Sequence, residues 1–431
     1  MNRGFYTVMA AQFFSSLADN ALLIAAIALL VQLQGPAWLT PLLKFFFTVS
    51  YVVLAAFVGA FADSMPKGKV MFVTNAVKIA GCALMFFYDY FALLGIGSHF
   101  VVLASYAVVG LGTAAYSPAK YGILTEMLPP QQLVIANGWI EGLTVASIII
   151  GTMLGGALIN PKVSALLLSM DVPRIDTGID TAPEAAILVI SLFYLIAAAF
   201  NLSIPDTGAR YHQQSRNPIV MVRDFVECFT TLWRDKLGQI SLAVTTLFWG
   251  AGATLQFIVL RWAERRLEMP LSQGAILQGI VALGVALGAV LAGRLVPLKK
   301  SLQVLPVGVA MGFAVMSLMF VTCMPLVYFL LILVGALAGF FVVPMNALLQ
   351  HRGHVLLSSG HSIAVQNFNE NLNILLMLAL YALMIRANFA INTIIVLFGV
   401  FVCLTMLMVI RRHKHNQSRE DSLHLIGIEK H

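Results

Sequence analysis

Runs of about 20 predominantly apolar residues recur from one end of this chain to the other, and nothing constrains its fold more strongly. Hydrocarbon offers no water to a backbone N–H or C=O, so a spanning segment must be a helix or a strand of a closed barrel. A barrel would show short segments of alternating polarity, whereas these runs are long and mostly unbroken. The predicted fold class is therefore an all-α polytopic membrane protein. Composition supports this: 60% of the residues are hydrophobic and 10% charged, with a mean hydropathy of +0.89, too little charge to coat a soluble chain of 431 residues. The first run is too long for a cleavable signal and no small-residue cleavage site follows it, so it is expected to remain in the mature protein.

The pattern predicts twelve spans, near residues 5–32, 42–62, 69–89, 99–121, 136–160, 184–204, 239–262, 272–296, 302–322, 325–350, 357–384 and 389–410. About 18 of the 26 Lys and Arg fall on the side of the membrane that holds the N-terminus, which by the positive-inside rule makes both termini cytoplasmic. The same topology accounts for the net charge of +7 without a nucleic-acid partner. The longest polar stretch separates an N-terminal bundle of six helices (1–204) from a C-terminal one (239–410), with a basic cytoplasmic tail at 411–431. Within the 205–238 linker, Val222, Phe225, Val226, Phe229 and Leu232 repeat at helical spacing after Asn217-Pro218. They predict an amphipathic helix on the bilayer surface, serving as a strut or as a regulatory element.

Polar residues inside the spans carry the functional information. Gln12, Ser15, Ser16, Asp19 and Asn20 line one face of the first helix. An aspartate at a helix centre costs roughly 2.5–3.5 kcal/mol, so the stripe either glues the bundle together or lines a water-filled cavity. Span 5 carries Asn137 and Glu141, and span 11 repeats their spacing in Gln366 and Glu370 within the cluster Gln366, Asn367, Asn369, Glu370, Asn371 and Asn373. That cluster is too dense for packing alone and predicts a hydrated face. In span 4, Lys120 follows Pro118 and either snorkels or meets an anion, and Lys44 and Lys78 are read as snorkelling lysines. Span 7 holds Trp249 and Gln256 and ends in Arg261-Trp262, an interfacial belt or a cationic rim for phosphate. The four cysteines lack CxxC spacing, so no metal site or redox pair is expected. No phosphate loop, acyltransferase box or nucleophile–base set is present, so no catalytic residue and no cofactor are expected beyond a coupling cation, sodium or a proton.

Two resemblances organise these residues. Gly59, Asp63, Lys67, Gly68 and Lys69 resemble the signature gating loop of major facilitator transporters, with extra residues between Asp63 and Lys67. With six-plus-six spans and the echo of Gly110–Lys120 in Gly335–Asn346, this implies the major facilitator fold. Thr152 stands where the antiporter motif of drug exporters has proline, which counts against drug/proton exchange.

The runs Ala11–Leu23, Ala115–Leu124, Leu247–Gly252, Gly339–Gln350 and Ile363–Asn367 are similar to those of the bacterial lysophospholipid transporters. That resemblance implies a flippase carrying lysophosphatidylethanolamine and related lysolipids to the inner leaflet of the inner membrane, by alternating access. A partner acyltransferase–acyl-carrier-protein synthetase would reacylate them there. It places Gln12, Asp19, Asn20, Lys120, Asn137, Glu141, Trp249, Gln256, Arg261, Asn346, Gln366, Asn367 and Glu370 along the substrate path. Familiar members carry arginine where Gln256 stands, and Arg261 is the alternative phosphate ligand. A facilitator for another amphiphile, drug or metabolite, and a non-transporting scaffold for the acyltransferase, remain the other readings.

Overall fold

The computed structural model describes residues 3–36, 39–93, 95–169, 179–211, 217–269, 271–419 and 421–427. Among them, eleven helices are long and apolar enough to cross a membrane, or twelve if one bent pair counts as a single span. The bent pair is α2 (Leu39–Val53) and α3 (Ala55–Asp63), which meet at 65°. Ser50 Oγ bonds back to Phe46 O at 2.9 Å one turn before the break, a contact that tends to bend helices. Otherwise the expected spans appear as α1 (Arg3–Gln32), α4 (Lys67–Phe86), α6 (Ser98–Met127), α7 (Leu133–Ile159), α9 (Ala182–Leu202), α11 (Gly238–Arg266), α12 (Leu271–Leu295), α13 (Leu305–Ser317, extended by flanking 3₁₀ turns to Leu298–Phe320), α14 (Met324–Leu356), α15 (Ser359–Arg386) and α16 (Ile391–Arg419). Short helices α5 (Tyr88–Leu93) and α8 (Pro161–Ser169) join spans, and α10 (Pro218–Arg234) lies in the linker. The helices α6 and α14 run unbroken through Pro118 and Pro344.

The chain divides into two compact units. The first comprises residues 1–123 and 146–218, the second residues 124–145 and 219–431. The early part of α7 thus belongs with the second unit and its later part with the first. In the first unit α9 packs against both α1 and α4 around Ala18, Leu22, Leu29, Cys82, Val109, Ile190 and Tyr194. The start of α9 is fixed locally: Pro183 occupies its first turn, and Glu184 Oε2 accepts the N–H groups of Asp180 and Thr181 at 2.9 Å each. Tyr88 O–H donates to the other oxygen at 3.2 Å. The later part of α7 approaches α1 closely because Gly151 and Gly155 face the carbonyls of Leu17 and Ala21.

In the second unit the tightest pairing is α12 with α14. Gly284 and Gly288 lie on the Ile332 and Ala336 carbonyls, and Gly335 and Gly339 lie on those of Val281 and Val285. A Cβ at any of the four would collide with backbone, so this seam is built from main chain. Helix α10 forms as its pattern predicts, with Phe225 and Leu232 buried and Phe225 and Phe229 set edge-on against Phe368 of α15. Its Val222 and Val226 stay exposed. One expectation is overturned: Trp262 is fully buried in the second unit's apolar core beside Val259, Val315 and Leu318, not at an interface. Glu264, Arg265 and Arg266 are the exposed residues of that last helical turn.

The glycine seam yields a direct test. Gly339→Val forces overpacking that typically costs about 1–3 kcal/mol. Gly252, where an added methyl would meet nothing within 4 Å, tolerates Ala. Thermal unfolding in detergent is expected to show a clear loss for the first and none for the second.

Candidate functional site

The first unit's site grows from Asp19. Its carboxylate is a charge in the middle of an apolar helix, and three other helices supply donors to it. Lys78 Nζ, from α4, reaches Oδ1 at 3.0 Å and Oδ2 at 2.9 Å. Tyr194 O–H, from α9, donates to Oδ1 at 2.6 Å, and Thr113 O–H, from α6, lies 3.5 Å from Oδ2. Lys78 Nζ also donates to Ser15 Oγ at 3.0 Å, and Ser15 O–H passes the chain on to Asn75 Oδ1 at 2.8 Å. Lys78 is therefore not a snorkelling lysine. Its side chain is 1% exposed, against 15% for Asp19, because a carboxylate within reach inside the bundle outweighs the distant water. Of the other stripe residues, Gln12 is buried, and Asn20 turns back to donate to Ser16 O at 2.8 Å. Lys120, half-buried on α6, has its Nζ 4.1 Å from the centre of the Tyr121 ring.

The second unit holds a chain of amides and carboxylates. Asn346 Nδ2 of α14 donates to Glu141 Oε1 of α7 at 3.3 Å. Gln366 Nε2 of α15 donates to Asn346 Oδ1 at 3.0 Å and to Glu370 Oε1 at 2.7 Å. All four side chains are buried. One turn away, Asn137 and Gln350 exchange reciprocal amide bonds of 2.8 and 2.9 Å. Asn367 is buried, and its carbonyl accepts from Asn371 Nδ2 at 2.8 Å. Trp249 and Arg261 are half-buried, with Trp249 edge-on to Phe248. Gln256 is exposed and tied to Gln278, donating to its Oε1 at 2.9 Å while Gln278 Nε2 donates to the Gln256 carbonyl at 3.0 Å.

The loop after α3 forms a compact ionic turn. Lys67 Nζ contacts Asp63 Oδ1 at 2.5 Å and Ala62 O at 2.8 Å, with both side chains inaccessible, and the Tyr211 ring covers the ammonium at 4.8 Å. The extra residues between Asp63 and Lys67 are what set them four apart, so that they pair across the turn. Gly59 is buried on α3. Gly68 sits where a Cβ would come within 3.1 Å of Asn201 O and Ile204 Cβ, and Lys69 points outward. The approach to Tyr211 is shaped by Asp206, which binds Arg210 through 3.0 and 2.7 Å contacts and accepts the Gly208 N–H. The Arg210 guanidinium and that N–H hold the Asp206 carboxyl down at about 2.

Residues 8–376 match the Major Facilitator Superfamily. The chain belongs to that superfamily. Among its relatives, a protein of Yersinia enterocolitica named lysophospholipid transporter LplT is 42% identical over 389 residues, covering 90% of this chain and 88% of that one. A protein of the same name from Yersinia pestis is 41% identical over 387 residues, with 90% and 88% covered. Solved major facilitator folds superpose as well. A bacterial homologue of the iron transporter ferroportin, in an outward-facing state, gives a TM-score of 0.72 at 14% identity, covering 97% of this chain and 100% of that one. The Escherichia coli fucose:proton symporter FucP gives 0.71 at 14% identity, covering 95% and 98%. At such identity these two structures speak for the fold alone.

Lys78, read from the sequence as snorkelling, and Thr113, Tyr194 and Gln350, which the sequence pattern does not single out, complete the polar sites. A signal for Lys78 existed: it is a cation deep within an apolar run, and the first span offers a carboxylate at similar depth. Nothing comparable marks Tyr194 or Thr113, which are ordinary span residues until the helices are assembled. Gln350 lies one turn beyond Asn346 on the same helix face.

The reciprocal amide pair can be tested by a double-mutant cycle. Gln350→Leu strands the Asn137 amide in the interior and is expected to cost about 1–3 kcal/mol. The double variant with Asn137→Leu regains most of that, as read from thermal unfolding of the purified protein.

Proposed function

We propose that this protein is a lysophospholipid transporter that moves lysophosphatidylethanolamine and related lysolipids across the bacterial inner membrane, from the outer to the inner leaflet. The observation that carries the reading is the 42% identity over 90% of the chain with a relative of that name. The chemistry of the two polar sites suits such a cargo. A phosphoethanolamine headgroup needs acceptors for its ammonium and donors or a cation for its phosphate. Asp19, with Gln12 and Asn20 on the same helix, offers the first unit's acceptors, and Lys120 is its cation toward phosphate. In the second unit Glu141, Glu370, Gln366, Asn346, Asn137 and Asn367 offer polar groups of their own, with Trp249 midway along α11 and Arg261 near its end. Gln256, held by Gln278, contributes an amide and no charge. The Asp63–Lys67 turn, with Gly59, Gly68 and Lys69, acts as the gate latch of an alternating-access cycle. Both termini and the linker face the cytoplasm, where an acyltransferase would consume the delivered lysolipid.

The reading is tested by uptake of labelled lysophosphatidylethanolamine into proteoliposomes, with sodium and proton gradients varied to identify the coupling ion. Protein-dependent uptake is expected; its absence in folded protein would exclude transport of this lipid and leave a facilitator for another substrate or the scaffold. Asp19→Asn is expected to lower uptake at least about tenfold per folded transporter, since a charge-assisted hydrogen bond is worth about 1.5–3 kcal/mol.

A further inference from the structure

The ammonium of Lys78 has three protons, and the first unit uses all of them. Two contacts go to the Asp19 oxygens, at 3.0 and 2.9 Å, and one to Ser15 Oγ at 3.0 Å. The faces of the Tyr116 and Tyr194 rings close around the same charge, 5.0 and 5.5 Å from their centres. The lysine is sealed behind the carboxylate, and Asp19 keeps the partly open edge. The titratable groups that face Asp19 are Lys78 and Cys82 on α4, Tyr106 and Tyr116 on α6, and Tyr194 on α9. Among these described neighbours Lys78 is the one cation.

We propose that Lys78 is a positioning residue for headgroup recognition: it keeps the Asp19 carboxylate charged and in a fixed orientation for the substrate, without touching the substrate itself. The inference rests on the reading of Asp19 as a headgroup ligand. Three physical arguments support it. First, a carboxylate inside an apolar bundle is stable as an anion only when paired, and otherwise it takes up a proton and loses its attraction for an ammonium. Second, Lys78 bridges both oxygens while Tyr194 O–H donates to Oδ1 at 2.6 Å, so the plane of the carboxylate is set by α4 and α9 together. Third, a lysine whose protons are already placed, and whose side chain is 1% exposed, has nothing left to offer a phosphate.

The test is the pH profile of lysophosphatidylethanolamine uptake by reconstituted wild type, Lys78→Arg and Lys78→Met, each normalised to folded protein. Wild type and Lys78→Arg are expected to show similar, flat profiles between pH 6 and pH 8. Lys78→Met is expected to lose uptake as the pH falls, by about fivefold or more across that range, because one pH unit changes the ionised fraction of an unpaired carboxyl up to tenfold. A Lys78→Met variant with a flat profile, at whatever level, overturns the proposal. Should Lys78→Met fail to fold, Asp19→Asn is compared with the charge-free pair Asp19→Asn/Lys78→Met. Lys78 acting only through Asp19 predicts equal uptake for the two, and a further loss of about threefold in the double variant overturns the proposal. Wild-type protein that takes up no lysophosphatidylethanolamine defeats the transport reading instead, so the two failures are distinct.

Discussion

A charge among apolar helices must find its opposite, and in the first unit that requirement ties four helices to one carboxylate. Asp19 on α1 draws Lys78 from α4, Thr113 from α6 and Tyr194 from α9, and the second-layer bond from Ser15 to Asn75 returns to α4. Such a pair is weak evidence for stability, because desolvating two ions offsets much of their attraction, whereas removing one partner is strongly destabilising. Its value lies in specification: with α1 rotated by one residue, the aspartate would lose these partners.

The second unit solves a related problem with amides. Glu141 and Glu370 are reached through Asn346 and Gln366, and Asn137 locks onto Gln350. Amides serve well here because each carries both donors and an acceptor, so it can bridge two helices without adding net charge. The second unit holds an ion pair as well, Arg352 of α14 bonded to Asp235 at 2.6 and 3.2 Å.

The spans, the fold class and the superfamily were legible in the sequence, because hydrophobic length and polar patterning survive without knowledge of packing. The polar stripe on α1 was legible for the same reason. Partners across helices were not. The general behaviour of span lysines is to reach for water, and the register of Lys78 opposite Asp19 exists only once α1, α4 and α9 are assembled. Trp262 misleads in the same way: a tryptophan beside arginines at a helix end usually marks an interface, yet here it fills the second unit's core. Where an interaction is local, as in the Asp63–Lys67 turn or the α10 stripe, the sequence indicates it. Where it depends on helix rotation, it does not.

The seam between α12 and α14 has a consequence for behaviour over temperature. At its four glycines the contact is against backbone carbonyl, so no side chain loses rotamer freedom at those points. There the attraction comes from close main-chain approach. The pair should therefore hold its geometry as lipids stiffen or melt around it, a fixed spine against which side-chain contacts elsewhere in the unit can loosen and re-form.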